Sequence, residues 1–159
     1  MYSRGLKVES LLTHHASRIT SLLKSRSIFQ ISCLAAACLL AVAIFVFTHV
    51  PNEQVPRLII RIGDDKFRHL LSYGLFAAFL FAGLRPWQTN PVKVLAWVAV
   101  IGIGYAGIDE LTQPLAGRTC SLLDFLASLG GTLLGGSLML VASVISGHWF
   151  KRQSDGPKA

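Results

Sequence analysis

The chain has 159 residues, 52% of them apolar and only 14% charged, against about 25% charged in an ordinary soluble domain. That length bounds it to about one domain, and the composition excludes a disordered chain, a disulfide scaffold and a soluble enzyme. The apolar residues gather in four long runs, which is membrane composition. A net charge of +7 does not point to nucleic acid here. The basic residues sit between the runs and at the chain ends, where they suit phospholipid head groups and set topology.

Residues 1–27 are polar and basic, with Val8, Leu11, Leu12, Ile19, Leu22 and Leu23 recurring at helical spacing. They predict an amphipathic helix lying on an anionic membrane surface. Ile28 to Phe47 is the first uninterrupted apolar run, long enough for a bilayer and not followed by a small-x-small cleavage site, so it reads as a retained span. Residues 48–63 form a connection punctuated by Pro51 and Pro56, with Arg57 and Arg61 on a short interfacial turn. Phe67 to Leu84 is the second run, closed by Arg85-Pro86-Trp87 with Trp87 placed as an interface anchor. Pro91 to Gln113 is the third, opened by one proline and stopped by Pro114. Leu122 to Ser146 is the fourth, and a basic tail over 148–159 follows.

The fold class expected is therefore an all-α membrane protein: a four-helix transmembrane domain over 28–147, preceded by the amphipathic segment 1–27. Four spans put both termini on one side. Ten Lys and Arg lie in 1–27, 85–93 and the tail, against four (Arg57, Arg61, Lys66 and Arg118) in the other connections. The positive-inside rule then makes both termini cytoplasmic and turns connections 48–66 and 114–121 outward, as expected for a multi-pass protein of a bacterial inner membrane.

Ionisable groups at membrane depth cost free energy and mark sites. Here they and the polar side chains beside them fall at one end of the bundle: Asp64, Asp65, Lys66, His69, Asp109, Glu110, Gln113, Arg118, Asp124 and Ser128. Asp64 and Asp65 open the second helix, where carboxylates cap free N–H groups. His69 lies one turn below Asp65. Ser121-Leu-Leu-Asp124 has the form of a capping box. Asp109 and Glu110 differ, because they stand near a helix C-terminus, where the dipole opposes them and they repel each other. They need cations or protons, and Arg118 is the nearest in sequence, with Lys66, Arg68 and His69 on the second helix as others. Gly131-x-x-x-Gly135, with Gly130 and Gly136, gives the fourth helix a small face for pairing within or between chains; Gly102, Gly104 and Gly107 do the same on the third. Cys33, Cys38 and Cys120 form neither a disulfide framework nor a zinc spacing.

The order of these residues resembles the VanZ-like family of bacterial membrane proteins. That family shows a D-K-x-x-H segment opening one span, then E-x-x-Q, an Arg, and D-x-x-x-N-x-x-G-x-x-x-G across a helical hairpin. Asp65-Lys66-Phe67-Arg68-His69 stands for the first part; Glu110, Gln113, Arg118, Asp124, Gly131 and Gly135 stand for the second. The likeness covers about residues 62–136. Ser128 replaces the usual Asn, keeping a small hydrogen-bonding group and losing the amide. What the resemblance implies is a cell-envelope role, linked in the family to teicoplanin (glycopeptide antibiotic) resistance and to envelope polysaccharide genes.

Two functions follow as expectations. In one, a polar cluster binds a polar or phosphorylated lipid, such as a polyprenyl-linked or glycan intermediate. Asp65, Lys66, His69, Glu110, Gln113, Arg118 and Asp124 form the site, with Arg118 as fork and Lys66 as point charge for phosphate. In the other, the protein is an enzyme on envelope lipids with Glu110 or Asp109 as general base and His69 as acid. A divalent metal on Asp65, His69 and Glu110 has suitable ligand types but no known metal spacing, so neither metal nor organic cofactor is expected. A purely structural scaffold, with the polar groups pinning helices together, is the third reading.

Overall fold

Long apolar runs with few backbone breakers leave the chain one economical way to satisfy its peptide groups, which is helix. The structure, a computed structural model, describes residues 28–50, 64–85 and 90–154, the last eight of these by backbone alone. The expected amphipathic helix over 1–27, the interfacial turn at Arg57 and Arg61, and the anchor Trp87 lie outside the described residues. Four long α-helices are present among the described residues: α1 (Ile28–His49), α2 (Asp65–Leu84), α3 (Pro91–Thr112) and α4 (Leu122–Ser154). Each is long and apolar enough to cross a bilayer. The chain is thus an all-α, multi-pass membrane protein.

The helix ends carry the local chemistry expected of them. Asp64 caps α2, its carboxylate accepting from the Phe67 N–H at 2.8 Å. Asn90 caps α3 by accepting from Val92 and Lys93 N–H groups, with Pro91 in the first turn, where its missing N–H has no cost. Ser121 performs half of the expected capping box at α4, accepting from the Asp124 N–H at 3.3 Å. Asp65 does not cap; its side chain is used elsewhere, as described below.

Two ends differ from expectation. The α-helical part of α3 stops at Thr112, and Gln113–Ala116 tighten into a 3-10 turn through Pro114 rather than ending at it. Proline tolerates that position because the first-turn N–H groups have no partner anyway. At the far end α4 continues past Ser146 to Ser154, giving 33 residues or about 50 Å, longer than a bilayer core needs.

Consecutive helices run antiparallel, so α2 lies parallel to α4 and α1 parallel to α3. The closest pairing is α2 on α4. A Cβ added at Gly131 would strike the Leu70 carbonyl, and one at Gly135 the Gly74 carbonyl. The Gly131/Gly135 face is therefore occupied inside the chain. The oligomer expected through this face is not supported, because α2 already covers it. The third-helix glycines also divide: Gly102 abuts Thr132 of α4, whereas Gly104 and Gly107 face open space. Gly83 of α2 receives Leu34 of α1.

The bundle is inverted relative to a soluble domain. Leu111, Leu115 and Leu122 are largely exposed, whereas His69, Asp109, Glu110, Gln113, Asp124, Ser128 and Thr132 are buried. The apolar core around Tyr73, Phe76, Ala77, Phe81, Val94, Val98 and Ala106 fills the middle. Polar groups cluster above it, at the end shared by the C-termini of α1 and α3 and the N-termini of α2 and α4.

Candidate functional site

Asp109 and Glu110 are adjacent in sequence but serve different neighbours. Asp109 is fully buried. One oxygen accepts from the Thr48 hydroxyl of α1 at 2.6 Å, the other from the Tyr73 hydroxyl of α2 at 3.1 Å. His49 stands 3.8 Å away, with its own ring nitrogens engaged by the Phe45 carbonyl and Thr112. Asp109 thus ties α1 and α2 to α3.

Glu110 turns toward α4. It accepts from the Gln113 amide at 3.1 Å and from the Ser121 N–H at 3.0 Å, so it stitches the end of α3 to the start of α4. His69 Nδ1 lies 4.0 Å from it and 3.0 Å from the Ser128 hydroxyl. Ser128 is itself buried. Ser128 therefore has a definite task, which is to orient His69.

The cations do not go where chain order suggested. Arg118 does not pair with Asp109 or Glu110, nor with Asp124. It donates to Asp65 at 2.8 Å and to the Val50 carbonyl at 3.3 Å. The reason lies in the turn. Gly117 is left-handed (φ 75°), a conformation glycine adopts without penalty; its N–H and that of Arg118 close back on the carbonyls of Pro114 and Gln113. This sends the Arg118 side chain across to α2. Arg68 also donates to Asp65 at 2.8 Å, so one carboxylate sits between two guanidinium groups. Lys66 is half exposed and lies 3.8 Å from Asp124. Among Lys66, Arg68 and His69, only His69 approaches Glu110.

An amphiphilic cavity of about 300 Å³ opens between α1 and α2, at the lower limit of a small-molecule pocket. Ile44, Phe47, Leu71 and Leu75 form its apolar walls, and Asp65, Arg68, His69 and Arg118 its polar end. Of the residues expected in a site, the structure places Asp65, His69 and Arg118 on this cavity. Asp124 lies beside them: one ligand atom each from Asp65, His69 and Asp124 falls within 4.8 Å of the others. Gln113 and Glu110 are buried behind, as a linked pair. Thr48 and Tyr73 are additions, and Arg68, expected as a cation for Asp109 or Glu110, serves Asp65 on the cavity instead. Thr48 precedes the first connection, and nothing local tells that it reaches α3. Tyr73, four residues after His69, repeats the polar stripe of α2 and was the legible signal. No family model, curated protein or solved structure matches the chain.

Proposed function

We propose that this is a VanZ-like membrane protein of the bacterial cell envelope that recognises an anionic lipid, of the phosphorylated or glycan-bearing intermediate type, at the polar end of its helix bundle. A link to glycopeptide (teicoplanin) resistance or envelope polysaccharide belongs to the same reading. The observation that carries it is the α1/α2 cavity, whose apolar walls lead to two arginines. A lipid tail suits the walls. A phosphate suits guanidinium donors, which meet its oxygens in a fixed fork. Asp65 occupies only part of the donor capacity of Arg68 and Arg118, since each guanidinium has five N–H donors.

Native mass spectrometry of protein extracted gently from its own membrane tests this reading, with wild type beside Arg118→Ala. The expected result is a discrete lipid mass on the wild type and its loss from the variant. Asp65 keeps Arg68 as partner in that variant, so the fold is expected to survive. Equal heterogeneous bulk lipid on both proteins would remove the reading. The enzyme alternative has less support, because neither Glu110 nor Asp109 lines the cavity and Glu110 serves to join α3 to α4. Turnover of an envelope lipid that Glu110→Gln abolished would restore it.

In this proposal the polar end faces outward and both termini lie in the cytoplasm. Cys120 is exposed in the turn between α3 and α4, whereas Cys33 and Cys38 lie within α1. A membrane-impermeant maleimide is therefore expected to label intact cells, and Cys120→Ser to abolish that labelling. Labelling only after the membrane is permeabilised would reverse the topology.

A further inference from the structure

We propose that Asp65, His69 and Asp124 bind a divalent first-row metal ion, of the zinc or manganese type. This inference does not rest on the lipid reading. It begins with one atom. Asp124 is 7% exposed, and its buried Oδ1 is the one buried side-chain nitrogen or oxygen among the described residues without a hydrogen-bond partner. Its nearest cation, the Lys66 ammonium at 3.8 Å, is beyond hydrogen-bond reach and half exposed to solvent. A buried carboxylate oxygen left without a donor is unfavourable, and a metal ion would satisfy it.

Two further ligands stand at suitable range. The three ligand atoms lie within 4.8 Å of one another. Three ligands on one shared ion, at bonds of about 2.0–2.2 Å, are at most about 3.8 Å from one another, so side-chain shifts of up to about an ångström close the site. Both supporting groups are already oriented. Ser128 engages His69 Nδ1 and so fixes the ring, the role an outer partner plays for a metal-binding histidine. Two arginines hold Asp65, and each carboxylate oxygen keeps a second lone pair for a metal. One imidazole with two carboxylates is a donor set for zinc or manganese.

The charge balance points the same way. Asp65, Asp109, Glu110 and Asp124 form four carboxylates linked through His69, and they meet three permanent cations, Lys66, Arg68 and Arg118. Four carboxylates against three permanent cations leave the cluster formally one positive charge short. A second trio, His69 with Asp109 and Glu110, is equally close. Each of its carboxylate oxygens, however, has a donor, from Thr48, Tyr73, Gln113 or Ser121, so none is left unsatisfied as Asp124 Oδ1 is. The unmet demand lies at Asp124.

Full-length protein in detergent, stripped with a chelator, is titrated calorimetrically with Zn²⁺ and separately with Mn²⁺. One ion per chain is expected for at least one of the metals. Asp124→Asn keeps the side-chain shape and is expected to weaken binding about tenfold or more. Glu110→Gln, which removes a nearby charge but no ligand, is expected to weaken it by less than Asp124→Asn does. Lys66→Ala, at a half-exposed position that does not threaten the fold, is expected to tighten it, because the ammonium no longer competes for Asp124. X-ray absorption on the zinc-loaded wild type gives a readout independent of any variant: a nitrogen and oxygen shell with one imidazole. Absence of stoichiometric binding by both metals, sulfur in the shell, or loss of binding in Glu110→Gln but not in Asp124→Asn would each overturn the proposal.

Discussion

Gly135→Ala is expected to lower the stability of the bundle by about 1–3 kcal/mol, the range for overpacking a filled interface, and to fall at the upper end of it. The obstacle decides the size. An added methyl would run into the Gly74 carbonyl of α2, and backbone cannot escape by changing rotamer. Either α4 moves off α2 or both helices bend. The consequence spreads, because Leu70 and Gly74 are separated by one turn of α2, the same helix that carries Asp65 and His69. Gly104→Ala is the matched control. Nothing lies within 4 Å of its new methyl, and a surface change of this kind is expected within about 0.5 kcal/mol of wild type. Thermal unfolding of both variants in one detergent compares them. Equal transition temperatures would mean that the glycine face does not set the α2–α4 distance.

Those two glycines also mark where sequence reasoning stops. That Gly131 and Gly135 make a small face follows from spacing alone. Which surface meets that face does not, and the same pattern serves contact within a chain or between chains. The four helices were legible because run length answers to bilayer thickness, a one-dimensional property. Caps were legible for the same reason: Asp64 and Ser121 act on N–H groups three residues away. The polar end was legible as a gathering, since alternating spans return to the same side. Its pairings were not. Arg118 chooses Asp65 over the nearer Glu110 because Gly117 redirects the chain, and Asp109 finds Thr48 sixty-one residues away. Such contacts depend on how helices rotate about their axes, which composition does not encode.

The Asp109 network makes the second large prediction. Asp109→Ala removes the acceptor for Thr48 and for Tyr73, but the two donors fare differently. Thr48 retains the Phe45 carbonyl at 3.1 Å. Tyr73 is fully buried, and its hydroxyl has no other acceptor among the described residues. A stranded buried donor costs about 1–3 kcal/mol, and the emptied space adds to that. Relief of repulsion with Glu110 acts in the opposite direction. That term is the smaller one, because Glu110 is held apart by Gln113 and Ser121. Destabilisation is therefore the expected sign, with α1 loosened first, since Thr48 is its link to Asp109. Tyr73→Phe in the Asp109→Ala background should recover part of the loss, because removing both partners leaves nothing unsatisfied. A double-mutant cycle on unfolding free energies measures the pair directly. If the double variant is no more stable than Asp109→Ala alone, Asp109 acts through its charge rather than as the acceptor that joins α2 to α3.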